Sequence, residues 1–432
     1  MTIHCDVIKR LDSVIDTYVS NISLYTKNPN DFIRNRKLSA KTTIKTILSM
    51  GDKSLNKELL EAFPDKETRM SAPAFVMQKD KLRPELFRKL LCDFTKTFKP
   101  SLFRNKYRLM AIDGSDFNIP FNPKSEYVIN SCSKDKKISM LHANTLYDIE
   151  SKLYMDCIPE PKSVSNERNA ARELIKNLDS NCIVIMDRGY DGINMYEHLN
   201  RMGVKYLIRT KVHSGGLMLI DKLDDIECDL DFILDVTTSK VEYDRERRDN
   251  PYKIFINVPI KSHTENYADK KPRQWDFGRN CKVAFRVVKF KISDDTWEVL
   301  VTNLPRNEFN INDLKELYHK RWDIETSFRD LKYSLGTVNF HSNKDDSIFM
   351  ELFAGMIMYN AVTMSVRQID IEKSFKIKIN MACMLVKQYY RNGKSDYTAL
   401  CMEIKSYIYT EKKGRQAARN IKPKSAVPFT YR

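Results

Sequence analysis

The stretch IVIMDRGY, residues 183–190, sets four apolar residues directly before an aspartate. Such a run predicts a buried β-strand that ends at Asp187. A second run, LMAI at 109–112, precedes Asp113 and Gly114 in the same way. Carboxylates at the ends of neighbouring strands can meet at one sheet edge and bind a hard divalent cation. A simple turn after each strand explains the same pattern, and for either aspartate alone it is the stronger explanation.

The segments between and after these runs predict a mixed α/β order. Apolar runs at 141–147 and 153–158 flank a polar turn and predict a β-hairpin. A helix is expected over 167–178, and a second helix, 194–201, precedes a strand at 205–209. Strands and helices that follow each other in this way indicate an α/β domain built on a mixed sheet.

Four polar residues share one side of a long helix expected from about 311 to 335. Tyr318, Arg321, Glu325 and Lys332 are spaced by 3, 4 and 7 residues. At about 100° per residue they therefore fall within roughly 60° of one another. The apolar residues of this helix lie beside the stripe, so the stripe borders the core. A solvated helix face with an Arg321–Glu325 pair explains the same spacing, and spacing alone favours it.

The composition is that of a folded, basic protein. The 432 residues include 73 Lys and Arg against 57 Asp and Glu, a formal charge of +16, with 42% hydrophobic residues. These values exclude a disordered or collagen-like chain. A mean hydropathy of −0.49 and the lack of an apolar run of spanning length exclude a bilayer protein. Nine scattered cysteines and an N-terminus unlike a signal peptide predict reduced thiols and a cytoplasmic location.

Part of the positive charge is concentrated locally. Residues 411–432 hold seven basic residues and one acid, and residues 270–275 interleave cations with Trp275. Such patches suit a polyanionic partner, of which nucleic acid is the commonest. An ordinary enzyme with a lysine-rich composition explains the net charge equally well, so composition alone leaves both explanations open.

The stretch YHKRWDIETSFRDLK at 318–332 resembles the Tyr-x2-Arg-x3-Glu-x6-Lys signature of bacterial insertion-sequence transposases of the IS-four type. Three further motifs agree in order: DGS at 113–115, DRGY at 187–190 and TNL at 302–304. The resemblance extends over about 107–359. It implies membership of the wider DDE group, whose catalytic core is ribonuclease-H-like.

The resemblance implies an α/β fold class: a ribonuclease-H-like mixed sheet flanked by helices, interrupted by a β-rich insertion, with an all-helical N-terminal domain. The short helices expected in the first hundred residues suit this picture, although they fit any small helical bundle equally well. The expected segments are a helical DNA-binding domain (1–100), the first part of the catalytic core (101–211), a β-rich insertion (212–296), the second part of the core (297–375) and a basic C-terminal region (376–432).

The resemblance also implies the function of a DNA transposase that binds the terminal inverted repeats of its own insertion sequence. Asp113, Asp187 and Glu325 then form the catalytic triad and bind two Mg²⁺ ions, for which Mn²⁺ can substitute. The reaction implied is metal-dependent strand cleavage and transfer by a cut-and-paste route with a hairpin end. The implied partners are double-stranded DNA, at element ends and target, and a second copy of the chain, in a nucleoid-associated protein. A homodimer would form through the helix at 349–364 or through the C-terminal region.

Further residues are assigned by the same resemblance. Tyr318, Arg321 and Lys332 are expected to grip phosphates near the cleaved bond. Trp297 either stacks on an extruded base or, as a strand residue, packs in the core. His142 is expected to be structural. The rival carboxylates, each explained by turn chemistry, are Asp116, Asp148 and Asp191.

Two other functions remain open on the sequence. A nuclease on the same core would hydrolyse DNA without joining it to a target. A non-catalytic DNA-binding protein, such as a decayed relic that acts as a repressor, would bind without cutting. An intact set of three acids argues against the second of these.

Overall fold

The computed structural model describes residues 5–34, 37–130, 137–211, 226–258, 275–293, 296–392 and 396–410. The chain divides into two compact units. We call the first the sheet unit, and it comprises Leu102–Asp113 and Asn166–Trp322. We call the second the helical unit, and it takes the described residues of Met1–Ser101, Gly114–Ser165 and Asp323–Arg432.

The elements of the described residues are numbered along the chain. The strands are β1 (Arg108–Ile119), β2 (Val128–Asn130), β3 (Lys137–Asp148), β4 (Leu153–Pro161), β5 (Cys182–Met186), β6 (Lys205–Thr210), β7 (Cys228–Thr237), β8 (Lys253–Phe255), β9 (Asn280–Ser293), β10 (Thr296–Thr302), β11 (Phe375–Ile377) and β12 (Ile408–Thr410). The helices are α1 (Val7–Val19), α2 (Ala40–Ser49), α3 (Leu55–Ala62), α4 (Ala72–Lys79), α5 (Pro84–Lys96), α6 (Glu167–Ile175), α7 (Ile193–Arg201), α8 (Lys240–Glu246), α9 (Ile311–His319), α10 (Trp322–Arg329), α11 (Asp345–Arg367), α12 (Ile379–Asn392) and α13 (Tyr397–Ser406).

The sheet unit is built on a mixed sheet in the order β1-β5-β6-β10-β9-β7-β8. The strands β1, β5 and β6 are parallel, whereas β10 and β9 run antiparallel to their neighbours. All five residues of β5 are buried, as expected for a parallel strand whose two faces are covered. The helix α7 packs on β6 and β9. The described part of the sequence from 212 to 296 adds three strands and α8, a helix that the sequence did not predict.

The helical unit is organised around α11. This helix packs against α5, α2 and the strand β4, and most of its residues are buried. Its Asn360 side chain accepts a hydrogen bond from the Tyr154 backbone N–H at 2.9 Å and donates one to the Tyr154 carbonyl oxygen at 2.8 Å. These bonds satisfy a buried polar side chain in an otherwise apolar environment and tie α11 to β4.

The helix α11 also has the length and the apolar character of a membrane span. It is the one such helix among the described residues, and 78% of its most apolar 18-residue stretch is buried inside the protein. Burial of that extent is what a core helix shows. The predicted dimer contact through 349–364 is therefore not favoured, because the same side chains already pack within the unit.

The structure confirms the α/β class, the mixed sheet and the helical N-terminal region. Two predictions about individual elements are wrong. The strand β1 continues past Asp113 to Ile119. The single helix expected over 311–335 is instead α9, α10 and a π-helical turn, Asp330–Ser334.

Candidate active site

Asp113 and Asp187 lie at the same edge of the sheet unit. The parallel strands β1 and β5 pair in a register that ends with Ile112 opposite Met186. Asp113 directly follows Ile112, and Asp187 directly follows Met186. The two carboxylates therefore lie at the same edge of neighbouring strands. The prediction that apolar runs deliver both aspartates to a common edge is therefore met, although β1 does not end there.

The Asp187 carboxylate is anchored by the loop that follows it. Its Oδ1 accepts a hydrogen bond from the Gly189 backbone N–H at 2.7 Å. A Cβ atom at position 189 would lie 2.9 Å from the same oxygen, so a larger residue there would displace the carboxylate. That Cβ position is also 3.5 Å from Oε2 of Glu167 at the start of α6, which brings a further carboxylate near Asp187.

Arg321 contacts the first of these aspartates. Its Nη1 atom lies 3.4 Å from Oδ2 of Asp113, and its side chain is 6% exposed. The guanidinium also lies over the rings of Tyr318 and Trp322, at 5.9 and 5.0 Å from the ring centroids. Cation–π contacts of this kind fix the plane of a guanidinium. The predicted phosphate ligand is thus held against a carboxylate of the sheet edge.

Two buried tyrosine hydroxyls accompany this pair. Within the described residues, the hydroxyls of Tyr190 and Tyr318 have no hydrogen-bond partner. Burial raises the pKa of both phenols, and the charge of Asp187 acts on both in the same direction. The buried hydroxyls of Tyr206 and Tyr390 are also unpartnered among the described residues, so this feature alone does not mark a binding site.

Glu325, the third predicted acid, belongs to the helical unit. It lies on α10, which is fixed by its buried neighbours Ile324 and Phe328. The ring of Phe328 packs at 6.2 Å from that of Tyr154, and Ser327 contacts the Tyr154 hydroxyl at 2.8 Å. The backbone that carries Glu325 is therefore firmly packed.

Lys332 is bound inside the helical unit. Its Nζ lies 2.8 Å from Oγ of Ser115 and 2.6 Å from the carbonyl oxygen of Asp116. It also lies 4.5 Å from the centroid of the Phe117 ring. Burial lowers the pKa of this lysine. In this structure Lys332 therefore holds the segment of β1 that follows Asp113, a contact that the sequence did not predict.

A polar network beside Lys332 was also missed by the sequence reasoning. Asp116 Oδ1 lies 2.5 Å from Nδ1 of His142 and 3.0 Å from Nζ of Lys162. Burial acts to raise the pKa of Asp116, but the hydrogen bonds with His142 and Lys162 hold it below its ordinary value. A Cβ at position 114 would lie 2.3 Å from Nε2 of His142. The alternation of polar and apolar residues from Asp116 to Ile119 is the sequence signal that could have shown β1 continuing.

The remaining predicted residues have identifiable contacts. Trp297 in β10 is half-buried, and the Nζ atom of Lys289 lies 5.0 Å from its ring centroid. Asp148 accepts a hydrogen bond from the Ser151 N–H at 2.8 Å, as turn chemistry requires. Asp191 accepts one from Thr210 at 2.6 Å. The basic stretches at 270–274 and 411–432 lie outside the described residues.

The donor set fits a hard divalent cation in part. Asp113 and Asp187 offer carboxylate oxygens, which Mg²⁺ and Mn²⁺ prefer. Among the described residues, however, no three His, Cys, Asp or Glu side chains are gathered closely enough to hold a metal ion. The described residues therefore offer two carboxylates at this edge, which is fewer than a complete metal site would need.

A mixed sheet with two carboxylates at one edge and a buried arginine against them defines a candidate phosphoryl-transfer enzyme. A family model for the transposase DDE domain matches residues 104–361. The match covers more than half of the chain, and the chain therefore belongs to the DDE transposase family. Members of this family cleave and join DNA strands with divalent metal ions.

A search of curated proteins gave no match. Among solved structures, the chain is similar to the piggyBac transposase in a synaptic complex with hairpin DNA, determined by cryo-electron microscopy. The sequence identity is 9%, the TM-score is 0.43, and the similarity covers 95% of this chain and 84% of that chain.

Proposed function

We propose that this chain is a bacterial transposase of the IS-four type that binds the terminal inverted repeats of its own insertion sequence. In this proposal Asp113, Asp187 and Glu325 are the DDE triad. The observation that carries it is the β1–β5 register, which brings Asp113 and Asp187 to one sheet edge within the region that the family model matches. The element would be moved by a cut-and-paste route in the cytoplasm, at the nucleoid.

The chemistry divides into two balanced steps. In the first, a water oxygen attacks the phosphorus at the element end, the bond from phosphorus to the 3′ oxygen breaks, and a 3′-hydroxyl is left. In the second, this 3′ oxygen attacks a phosphorus of the target, and the target's own 3′ oxygen leaves. Bound divalent cations supply the Lewis acid that both steps need. An attack of the freed 3′-hydroxyl on the opposite strand would give the hairpin end.

The three carboxylates hold the cations and leave coordination positions for water and phosphate. Asp113 and Asp187 act from the sheet edge, and Glu325 acts from the packed helix α10. Support for the role of Glu325 comes from its place in the motif at 318–332 and from the rigid packing of its neighbours.

The cationic and aromatic residues of the motif region bind the DNA in this proposal. The guanidinium of Arg321 lies over the rings of Tyr318 and Trp322, and its planar fork suits bidentate contact with a phosphate. Tyr318 offers a hydroxyl donor, and Lys332 offers a point charge. Trp297 is half-buried, and in this proposal its ring stacks on an extruded base.

The test is a cleavage and joining assay with labelled element-end DNA, a target plasmid and Mg²⁺ or Mn²⁺. The variants D113N and E325Q are expected to bind end DNA like the unaltered protein but to lose cleavage by at least about 10³-fold, because a metal ligand is removed. The matched control is E316Q, the same change at an exposed position of α9. Normal cleavage by E325Q would contradict the triad assignment.

The same assay separates the competing functions. Cleavage of labelled ends without covalent joining to the plasmid would indicate a nuclease. Metal-independent binding with no cleavage would indicate a non-catalytic DNA-binding protein. A DNA-dependent change from monomer to dimer, followed by light scattering, tests the proposed homodimer.

A further inference from the structure

The helix α12 carries a lysine that binds the ends of two other segments. The Nζ atom of Lys387 donates hydrogen bonds to the carbonyl oxygen of Met50 at 2.7 Å and to that of Leu335 at 2.8 Å. Met50 directly follows α2, and Leu335 directly follows the π-helical turn at Asp330–Ser334. The last carbonyl groups of a helical segment have no partner within the segment, and lysine side chains are suited to bind them. Lys387 therefore caps two segments at once.

The π-helical turn sets the direction of Lys332. The Leu335 backbone N–H donates to the Asp330 carbonyl oxygen at 3.0 Å, five residues back. Turns of this kind are rare and are frequently found at functional sites. A bond that spans five residues instead of four points the side chains in a different direction from those of a continued α-helix. The direction of Lys332, which lies in this turn, therefore depends on whether the π-helical form is kept.

Lys332 reaches β1 from this turn. Its Nζ atom lies 2.8 Å from Oγ of Ser115 and 2.6 Å from the carbonyl oxygen of Asp116. Both residues belong to the part of β1 that follows Asp113. The lysine side chain is long and flexible, so the position of its amine depends on the backbone that carries it. A change in the form of the π-helical turn would therefore move the Lys332 amine away from this strand.

The loop between α2 and α3 packs against the same turn. Met50 begins this loop, and a Cβ atom at position 336 would lie 2.8 Å from the Cβ atom of Asp52. The Nδ2 atom of Asn339 donates to the Asp52 carbonyl oxygen at 3.3 Å. Because Lys387 binds both Met50 and Leu335, it joins this loop to the end of the turn. The π-helical turn is thus held by α12 and by the N-terminal helical region together.

We propose that Lys387 is a positioning residue for Lys332, because its bond to the Leu335 carbonyl oxygen holds the π-helical turn in the form that directs Lys332 along β1. This inference rests on the proposed role of Lys332 in binding DNA. Burial lowers the pKa of Lys387 to about 8. A neutral amine still has two hydrogens to donate, so both bonds persist in either protonation state.

The test uses K387M in the full chain, with labelled element-end DNA and Mg²⁺. Methionine keeps the length of the side chain but cannot donate a hydrogen bond. Cleavage is expected to fall about 10- to 100-fold, because a displacement of about 1 Å far from the reacting atoms can cost that much. Amide hydrogen exchange over residues 330–337, followed by mass spectrometry, should be faster in K387M. Unchanged cleavage or unchanged exchange would overturn the inference.

A double-mutant cycle with K332M separates positioning from a general loss of structure. K332M removes the amine itself and should slow cleavage. If Lys387 acts through Lys332, the double variant K332M/K387M should cleave no more slowly than K332M alone. Losses that multiply in the double variant would show that Lys387 acts on the fold as a whole, and would overturn the inference. If K387M does not fold, K387Q, which is shorter and keeps a donor group, carries the same cycle.

The matched control is K205M. Lys205 in the sheet unit is half-buried, and its Nζ atom donates to the carbonyl oxygen of Ser180 at 2.6 Å. The change removes the same kind of bond outside the helical unit. K205M should lower the midpoint of urea unfolding, as K387M does, but should keep the cleavage rate. An equal loss of cleavage in K205M and K387M would overturn the inference.

The variants also distinguish this inference from the proposed function. In the proposed function, K332M makes the salt dependence of end-DNA binding less steep by about one unit. A normal slope and normal cleavage in K332M would overturn the DNA contact of Lys332, and the inference with it. Slow cleavage in K332M together with normal cleavage in K387M would overturn the role of Lys387 alone.

Discussion

The guanidinium of Arg321 lies 3.4 Å from the carboxylate of Asp113, although 208 residues separate them in the sequence. The arginine of the helical motif is therefore bound at the sheet edge, where it faces the first predicted metal ligand. A buried arginine beside a carboxylate is already oriented, so it loses little freedom when it binds a phosphate.

We expect Arg321→Lys to slow DNA cleavage and to leave the thermal stability of the protein nearly unchanged. A lysine keeps the charge but loses the planar fork and its contacts with two aromatic rings. The cleavage rate should fall about 10- to 100-fold, in line with the loss of one charge-assisted hydrogen bond worth about 1.5–3 kcal/mol. Single-turnover cleavage and thermal unfolding measure the two effects. Lys320→Arg on the same segment is the control, and equal rates for Arg321→Lys and the unaltered protein would contradict this role.

Lys79, His341 and Glu351 form a buried ion cluster in the helical unit. We expect this cluster to make the stability of the protein depend on pH. Glu351 is paired with Lys79, and it accepts a hydrogen bond from the His341 backbone N–H at 2.9 Å and contacts His341 Nδ1 at 3.1 Å. Burial acts to lower the pKa of His341, but the contact with Glu351 raises it above its ordinary value. Burial acts to raise the pKa of Glu351, but the charge of Lys79 and the bonds from His341 lower it to about 2.

The sign of each pH effect follows from these shifts. The His341 contribution is fully present below pH 6.5 and is lost as the pH rises through the raised pKa. The Glu351 contribution is present above pH 4.5 and is lost as the pH falls towards 2. Urea unfolding of the unaltered protein and of His341→Gln, measured from pH 5 to 9, should show a decline at higher pH in the former only. Parallel curves would contradict the assignment.

Gly336 follows the π-helical turn that carries Lys332. We expect its replacement by alanine to destabilise the protein. Its φ is +76°, and a Cβ there would lie 2.8 Å from the Cβ of Asp52. Gly203 has a similar φ of +66° but nothing within 4 Å of the added Cβ. Gly203→Ala therefore measures the backbone penalty alone, about 1–2 kcal/mol. We expect Gly336→Ala to cost about 1–3 kcal/mol more, as read from urea midpoints, and equal costs would contradict the packing argument.

DNA binding should weaken steeply as salt is added. Each phosphate that a lysine or arginine neutralises releases counterions, so the logarithm of the affinity falls with the logarithm of salt with a slope of about −0.9 per contact. Gel-shift titrations with end DNA between about 50 and 200 mM salt measure this slope. Arg321→Ala should make the slope less steep by about one unit. A slope near zero in the unaltered protein would contradict every DNA-binding function considered for this chain.

The parts of the fold that the sequence predicted best are those with an unbroken local pattern. The run at 183–186 is fully buried in the parallel strand β5, and the run at 109–112 is buried in the same way in β1. The short helices expected in the first hundred residues are present, and Ser71 and Pro84 stand at the starts of α4 and α5.

The parts that could not be predicted depend on contacts between distant residues. Gly114 after Asp113 has the appearance of a turn signal, yet β1 continues, and a glycine is needed because His142 approaches the backbone there. The interruption at Lys320 has no glycine or proline to announce it. The network of Asp116, His142 and Lys162 joins three segments that are remote in sequence.

In the proposed function, Asp113, Asp187 and Glu325 bind the same pair of cations. The most direct test of this binding is the anomalous scattering of Mn²⁺ in crystals of the unaltered protein with end DNA. We expect manganese peaks at the sheet edge, with oxygen atoms of all three carboxylates about 2.0–2.6 Å from the manganese ions. Peaks bound by Asp113 and Asp187 with Glu325 out of reach, or peaks elsewhere in the protein, would contradict it.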